Sequence, residues 1–128
     1  MTTIKTFTGQ DATFYIQSKG LHSGRPMKTP KSNCFAVTTS IENSFEIVFA
    51  LYKGNAFKEW IKGSVIPFIS ITDLKKIVLP KIKNSKQLDS KKLNAICSID
   101  LHVENLNSQI KKYKELQVAL AFQAISEK

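Results

Sequence analysis

Residues 19–33, read in one-letter code as KGLHSGRPMKTPKSN, bring Lys19, Arg25, Lys28 and Lys31 into one short stretch, with His22 among them and no acidic residue. Arginine offers a planar fork that meets guanine or phosphate through two hydrogen bonds. Lysines act as point charges beside phosphates. Ser23, Ser32 and Asn33 can donate to phosphate oxygens or base edges. The stretch therefore carries the chemistry of anion recognition. The same composition also fits a solvated loop whose glycines and prolines only shape a turn.

A second basic run holds Lys75, Lys76, Lys81, Lys83, Lys86, Lys91 and Lys92 against the single acid Asp89. Each lysine that neutralises a phosphate releases a counterion, so the run adds to salt-dependent binding if the chain brings it beside the first. The formal net charge of the whole chain is +9, and most of the excess lies in these two segments. Aromatic residues could add stacking platforms for single strands. Phe14, Tyr15, Phe35 and Trp60 fall in strand-like or helical patterns, however, and core packing is the expected role for them.

Enzymatic chemistry has little to stand on. His22 and His102 lack neighbouring acids at metal-ligand spacing. The glycines at 20 and 24 do not precede the Gly-Lys-Ser/Thr of a phosphate-binding loop, nor do they form a dinucleotide fingerprint. The acids form no D-x-D or H-E-x-x-H pattern. Cys34 and Cys97 are too few for a disulfide or metal framework and read as two buried thiols. The expectation is a non-enzymatic protein without cofactor or metal.

The elements that must position these residues can be read in turn. With 128 residues, 42% of them apolar, the chain is long enough for one domain with a real core. No apolar run approaches the ~20 residues that span a bilayer, and the N-terminus lacks a signal-peptide pattern. Residues 12–19 and 34–39 are rich in aromatic and β-branched types and predict strands. Residues 44–52, SFEIVFALY, predict a third strand with Phe45, Ile47, Phe49 and Leu51 on one face, entered by a hairpin turn at Glu42–Asn43. Asn55 predicts the N-cap of a short helix over 56–62 that Gly63 ends. Pro67 makes 65–69 extended. Ser70 and Asp73 predict a capped single turn, followed by a short strand at Ile77–Leu79 that Pro80 closes. Residues 81–90 read as a basic linker.

From Ser90 the period changes. Ile96, Ile99, Val103, Leu106, Ile110, Tyr113, Gln117, Leu120 and Ala124 recur at threes and fours, predicting a helix over 90–127 with a heptad-like stripe. Such a helix would be roughly 55 Å long, so it either breaks near Asp100 or Asn105–Asn107 or projects and packs on another helix; its stripe fits a core-facing helix as well as a partner helix. Val103, Leu106, Ile110, Tyr113 and Leu120 are the expected interface residues for a homodimer or a partner helix.

Two resemblances bear on these residues. The stretch IKGSVIPFISITDLKKIVLP with the helix after it, residues 61–125, resembles the end of a target-recognition domain in the specificity subunits of type I restriction–modification systems. The resemblance implies that loops of the β-rich part read double-stranded DNA. It also implies that Gly63–Pro80 end the recognition domain and that Ile96–Ala124 form a spacer helix that contacts methyltransferase subunits. Lys19, Gly20, Ser23, Gly24, Pro26, Asn33, Cys34 and Phe35 resemble a KG-x-x-SG-x-P segment leading to NCF in a family of small uncharacterised proteins of Bacteroidetes and their mobile elements. That likeness implies a cytoplasmic bacterial protein and supplies no activity.

The expected architecture is α+β: a single domain over residues 1–128, with a small, mostly antiparallel sheet and a short helix within about 1–80, and a long C-terminal helix. The expected function is nucleic-acid binding, with DNA the expected partner, through Lys19, His22, Arg25, Lys28, Lys31, Lys75, Lys76, Lys81 and Lys83. The alternative is a protein-interaction module built on the 96–124 stripe. A weaker third option is an anti-restriction decoy.

Overall fold

The computed structural model describes residues 1–126. Four short strands form one antiparallel sheet: β1 (Thr3–Thr6), β2 (Phe14–Gln17), β3 (Pro26–Met27) and β4 (Cys34–Thr38), in the order β1-β4-β2-β3. Alternation places Ile4, Phe14, Ile16, Phe35 and Val37 on one face, where they join the main core. Tyr15, Met27, Cys34 and Ala36 lie on the other face and are buried, with the half-buried Phe7 and Ala12 packed against them. There the Phe7 and Tyr15 rings meet edge to face, with centroids 5.4 Å apart. The α+β class is as expected.

The segment expected as the third strand is a helix, α1 (Ser44–Lys53). Its composition is β-prone, but the run is apolar on both faces of a would-be strand, and a short run of that kind fits either element. Read at helical period, Ser44, Ile47, Val48 and Leu51 fall on one side. The first three are buried and Leu51 packs against the main core. Tertiary burial overrides the weak strand propensity. The turn at Glu42–Asn43 is present but leads into this helix instead of a hairpin, with Asn43 at φ 63°.

Asn55 closes α1 and does not cap a following helix. It lies in the left-handed region at φ 62°, where asparagine is tolerated. Its N–H donates to the Tyr52 carbonyl, and the Ala56 N–H donates to that of Leu51. These are the two hydrogen bonds of a Schellman termination. In place of the expected helix there is one 3-10 turn at Lys58–Trp60.

Ser70 caps α2 (Ile71–Lys83) as expected, its Oγ accepting from the Asp73 N–H at 3.2 Å. The strand expected at Ile77–Leu79 does not form, and α2 continues through Pro80. Leu74, Val78 and Ile82, four apart, are all fully buried. A proline inside a helix costs about 3 kcal/mol. Ending α2 there would take Ile82 out of the core, a loss of roughly 1.5–3 kcal/mol. Pro80 and Lys76 are both exposed, so the carbonyl left without its donor can turn to water. The basic linker expected from 81 therefore begins inside α2, and Ser85–Gln87 form a second 3-10 turn.

The long helix α3 (Ser90–Ser126) runs without a break. Asp89 accepts at its start from the N–H groups of Lys91 and Lys92. The last expected residue, Glu127, lies outside the described residues. By internal contact the chain divides into two units, Met1–Asn94 and the part from Ala95 onward. The first holds both cores. In the second, every described residue from Leu101 is exposed. Cys34 is buried, whereas Cys97 is half-buried, and the two form no disulfide. No helix among the described residues is long and apolar enough to cross a membrane.

Candidate functional site

The basic loop leaves β2 at Ser18 and returns to β4 at Asn33. Both the N–H and the Oγ of Ser18 donate to the Asn33 carbonyl, at 2.9 and 2.6 Å, and close the base of the loop. Asn33 supplies the reversal at φ 59°. Within the loop, the turn after Lys19 is held by Ser23, whose N–H and Oγ both donate to the Gly20 carbonyl. Gly24 has φ +94°, and a Cβ there would stand 2.5 Å from the Phe57 ring. Only glycine lets the loop lie this close to the core.

Two of the loop's cations are held by side-chain contacts. The Arg25 guanidinium donates to Gln17 Oε1 at 3.2 Å, and Gln17 Nε2 donates in turn to the Lys19 carbonyl at 2.7 Å. Gln17 thus aims Arg25 and braces the turn at once. His22 Nδ1 and the Tyr52 hydroxyl share a hydrogen bond at 3.0 Å. The Lys28 ammonium sits over the Phe45 ring, 3.8 Å from its centroid. Lys19 and Lys31 are exposed. Among the described residues, no carboxylate lies within ion-pair distance of Lys19, Arg25, Lys28 or Lys31.

The loop is not alone on this surface. Phe45, Phe49 and Tyr52 recur along one flank of α1 at four and three residues and are half-buried. Phe45 stacks on Phe49 at 6.4 Å and meets Phe14 edge-on at 5.6 Å. Lys53 stands over Phe49 and Tyr52 at 5.6 and 5.9 Å. A cavity of about 370 Å³ opens beside them, lined by Leu21, Ser23, Tyr52, Lys53, Lys58 and their neighbours. The site is thus a row of rings with cations laid against it. Reading 44–52 as a strand missed Phe45, Phe49, Tyr52 and Lys53 as members. Their spacing of three and four was the available signal. Gln17 had none.

The second basic segment is carried by a different element. Lys75, Lys76, Lys81 and Lys83 all belong to α2, with Lys75 half-buried and the others exposed. α2 touches β1 and α1, whereas α1 touches β3, and β1 and β3 are the two opposite edges. α1 therefore stands between α2 and the β3 edge. Of the aromatics considered as platforms, Phe14, Tyr15 and Phe35 are buried, and Trp60 is 38% exposed. In the second unit, Val103, Leu106, Ile110, Tyr113 and Leu120 are all exposed.

Fold and site together define an α+β protein whose four-stranded antiparallel sheet carries a fixed cationic loop beside an aromatic helix flank. The chain belongs to a family of unknown function, DUF6943, whose pattern matches residues 2–123. No curated protein and no solved structure matches it.

Proposed function

We propose that this protein binds nucleic acid, with duplex DNA the expected partner, and catalyses no reaction on it. The observation that carries the reading is the loop at 19–31: four cations without carboxylate partners among the described residues, on a backbone braced by Ser18 and Ser23, with Arg25 held by Gln17 and Lys28 by the Phe45 ring. Preorganised cations lose little side-chain entropy on meeting phosphate. The likeness of residues 61–125 to the end of the recognition domain and the spacer helix of restriction–modification specificity subunits favours DNA over RNA. The Bacteroidetes and mobile-element likeness favours a bacterial setting.

Fluorescence anisotropy with random duplex across a salt series tests the proposal. Four phosphate contacts correspond to a slope of log affinity against log salt of roughly −3 to −4. Absence of binding at low salt, or affinity indifferent to salt, overturns it.

A second reading concerns α3. Val103, Leu106, Ile110 and Leu120 are 44–55% exposed and Tyr113 is 72% exposed, along a heptad-like stripe. Apolar stripes of this kind are buried when a second helix packs on them. Self-association through α3 is compatible with the first reading, since a dimer carries two basic loops.

A further inference from the structure

Beside the basic loop, residues 62–68 form a tight hairpin. Lys62 and Phe68 exchange both backbone hydrogen bonds at 2.8 Å. Gly63 turns it at φ +102°, where a Cβ would stand 2.2 Å from the Ile66 carbonyl oxygen. The hairpin is tied to the basic loop. The Gly20 N–H donates to the Pro67 carbonyl at 2.8 Å, the Ile69 N–H donates to that of Ser18 at 2.9 Å, and Lys19 pairs with Phe68 across a β-bridge. Lys62, Phe68 and Lys19 are therefore direct cross-strand neighbours, with a cation on each side of a ring that is 36% exposed.

At the apex, Val65 is 89% exposed and Ile66 is 61% exposed; Leu21 in the adjoining turn is 88% exposed. Within residues 1–94 every other leucine, isoleucine and valine lies in the main core or packs against it, whereas these three stand in water on a braced support. Residues 53–62 add Lys53, Lys58 and Lys62 against the single acid Glu59. Lys62 also stands 3.5 Å from Asp73 Oδ2.

Resting on the nucleic-acid reading above, we infer that the Val65–Ile66 apex is a wedge that enters a base step of duplex DNA. Lys19 holds a phosphate on one side of it, and Lys62, paired with Asp73 but still largely exposed, reaches one on the other. Proteins that kink DNA insert one or two aliphatic side chains between base pairs and offset the unstacking with backbone contacts. A narrow apolar apex flanked by cations fits that task. It fits a bilayer poorly. Leu21, Val65 and Ile66 together hold fewer side-chain carbons than one myristoyl chain, which by itself gives only marginal membrane binding.

The test uses the full chain and a short duplex with 2-aminopurine beside a central TA step, a step that unstacks easily. The same duplex, end-labelled with a donor and an acceptor, reports bending. Wild-type protein is expected to raise both the 2-aminopurine emission and the energy transfer. The double variant Val65→Ser, Ile66→Ser is expected to bind with an unchanged salt slope while both signals stay at the level of free DNA. These side chains lie outside both cores, and circular dichroism checks that the variant is folded. Salt-dependent binding by wild type without either signal overturns the wedge and leaves the binding reading standing. No binding at low salt overturns both. A shift of Trp60 emission on anionic phosphatidylserine vesicles, with no unstacking of the duplex, assigns the apex to a membrane surface and overturns the wedge.

Discussion

The Lys28 ammonium lies 3.8 Å from the centroid of the Phe45 ring and so ties the basic loop to the first turn of α1. This contact turns a charged loop into part of a surface. A cation over a ring is worth about 0.5–1 kcal/mol at an exposed site, enough to bias a long side chain but not to define a fold. Its consequence is positional: the charge stands beside the aromatic flank.

Replacing Lys28 with alanine is expected to lower affinity for duplex DNA at low salt and to reduce the steepness of the salt dependence by about one contact. Lys28→Arg is expected to preserve both. Anisotropy titrations of the two variants provide the check. An unchanged salt slope in Lys28→Ala removes this residue from the interface.

Gln17 holds the Arg25 guanidinium at 3.2 Å and donates to the Lys19 carbonyl at 2.7 Å. Gln17→Ala is expected to weaken binding without altering the number of charges. Arg25→Ala should weaken it further and flatten the salt slope. If the double variant binds as Arg25→Ala alone does, the glutamine's effect runs through the arginine.

Ser70 caps α2 through its side chain. Ser70→Ala is expected to destabilise the protein by about 1 kcal/mol in urea unfolding, because the Asp73 N–H loses its acceptor. A midpoint within error of wild type would show that the cap contributes nothing.

Pro80 is tolerated in α2 because of the core residue beyond it. Pro80→Ala restores the missing N–H and removes the ring's clash with the preceding turn, so it is expected to stabilise by roughly 1–3 kcal/mol. Loss of the proline's restriction on the unfolded chain subtracts about 0.4–1 kcal/mol from the gain. Destabilisation in denaturant titrations would contradict this account of α2.

Sedimentation tests the stripe on α3. Wild-type protein is expected to sediment as a dimer at micromolar concentration, and Ile110→Lys combined with Tyr113→Glu as a monomer. A wild-type monomer at all concentrations rules out self-pairing.

The sequence by itself determined those features that depend on neighbouring residues. The long helix from Ser90 was legible because its period is sustained over many turns and other elements cannot satisfy it. The Ser70 cap was legible because a serine with an acid three residues on, before an apolar run, is a local device. The strands β2 and β4 and the segregation of charge into two segments were legible for the same reason.

The tertiary structure decided whatever depended on burial. SFEIVFALYK satisfies both a period of two and a period of 3.6, and the sheet's apolar face selected the helix by taking Ile47 and Val48. Pro80 reads as a stop until Ile82 is seen inside the core. Asn55 can open a helix or close one, and only hydrogen bonds back to α1 distinguish the two. The aromatic flank beside the loop exists because that choice of helix turned Phe45, Phe49 and Tyr52 to one side. Burial is a property of the whole fold, so a segment that fits two elements is resolved by the surface it packs against.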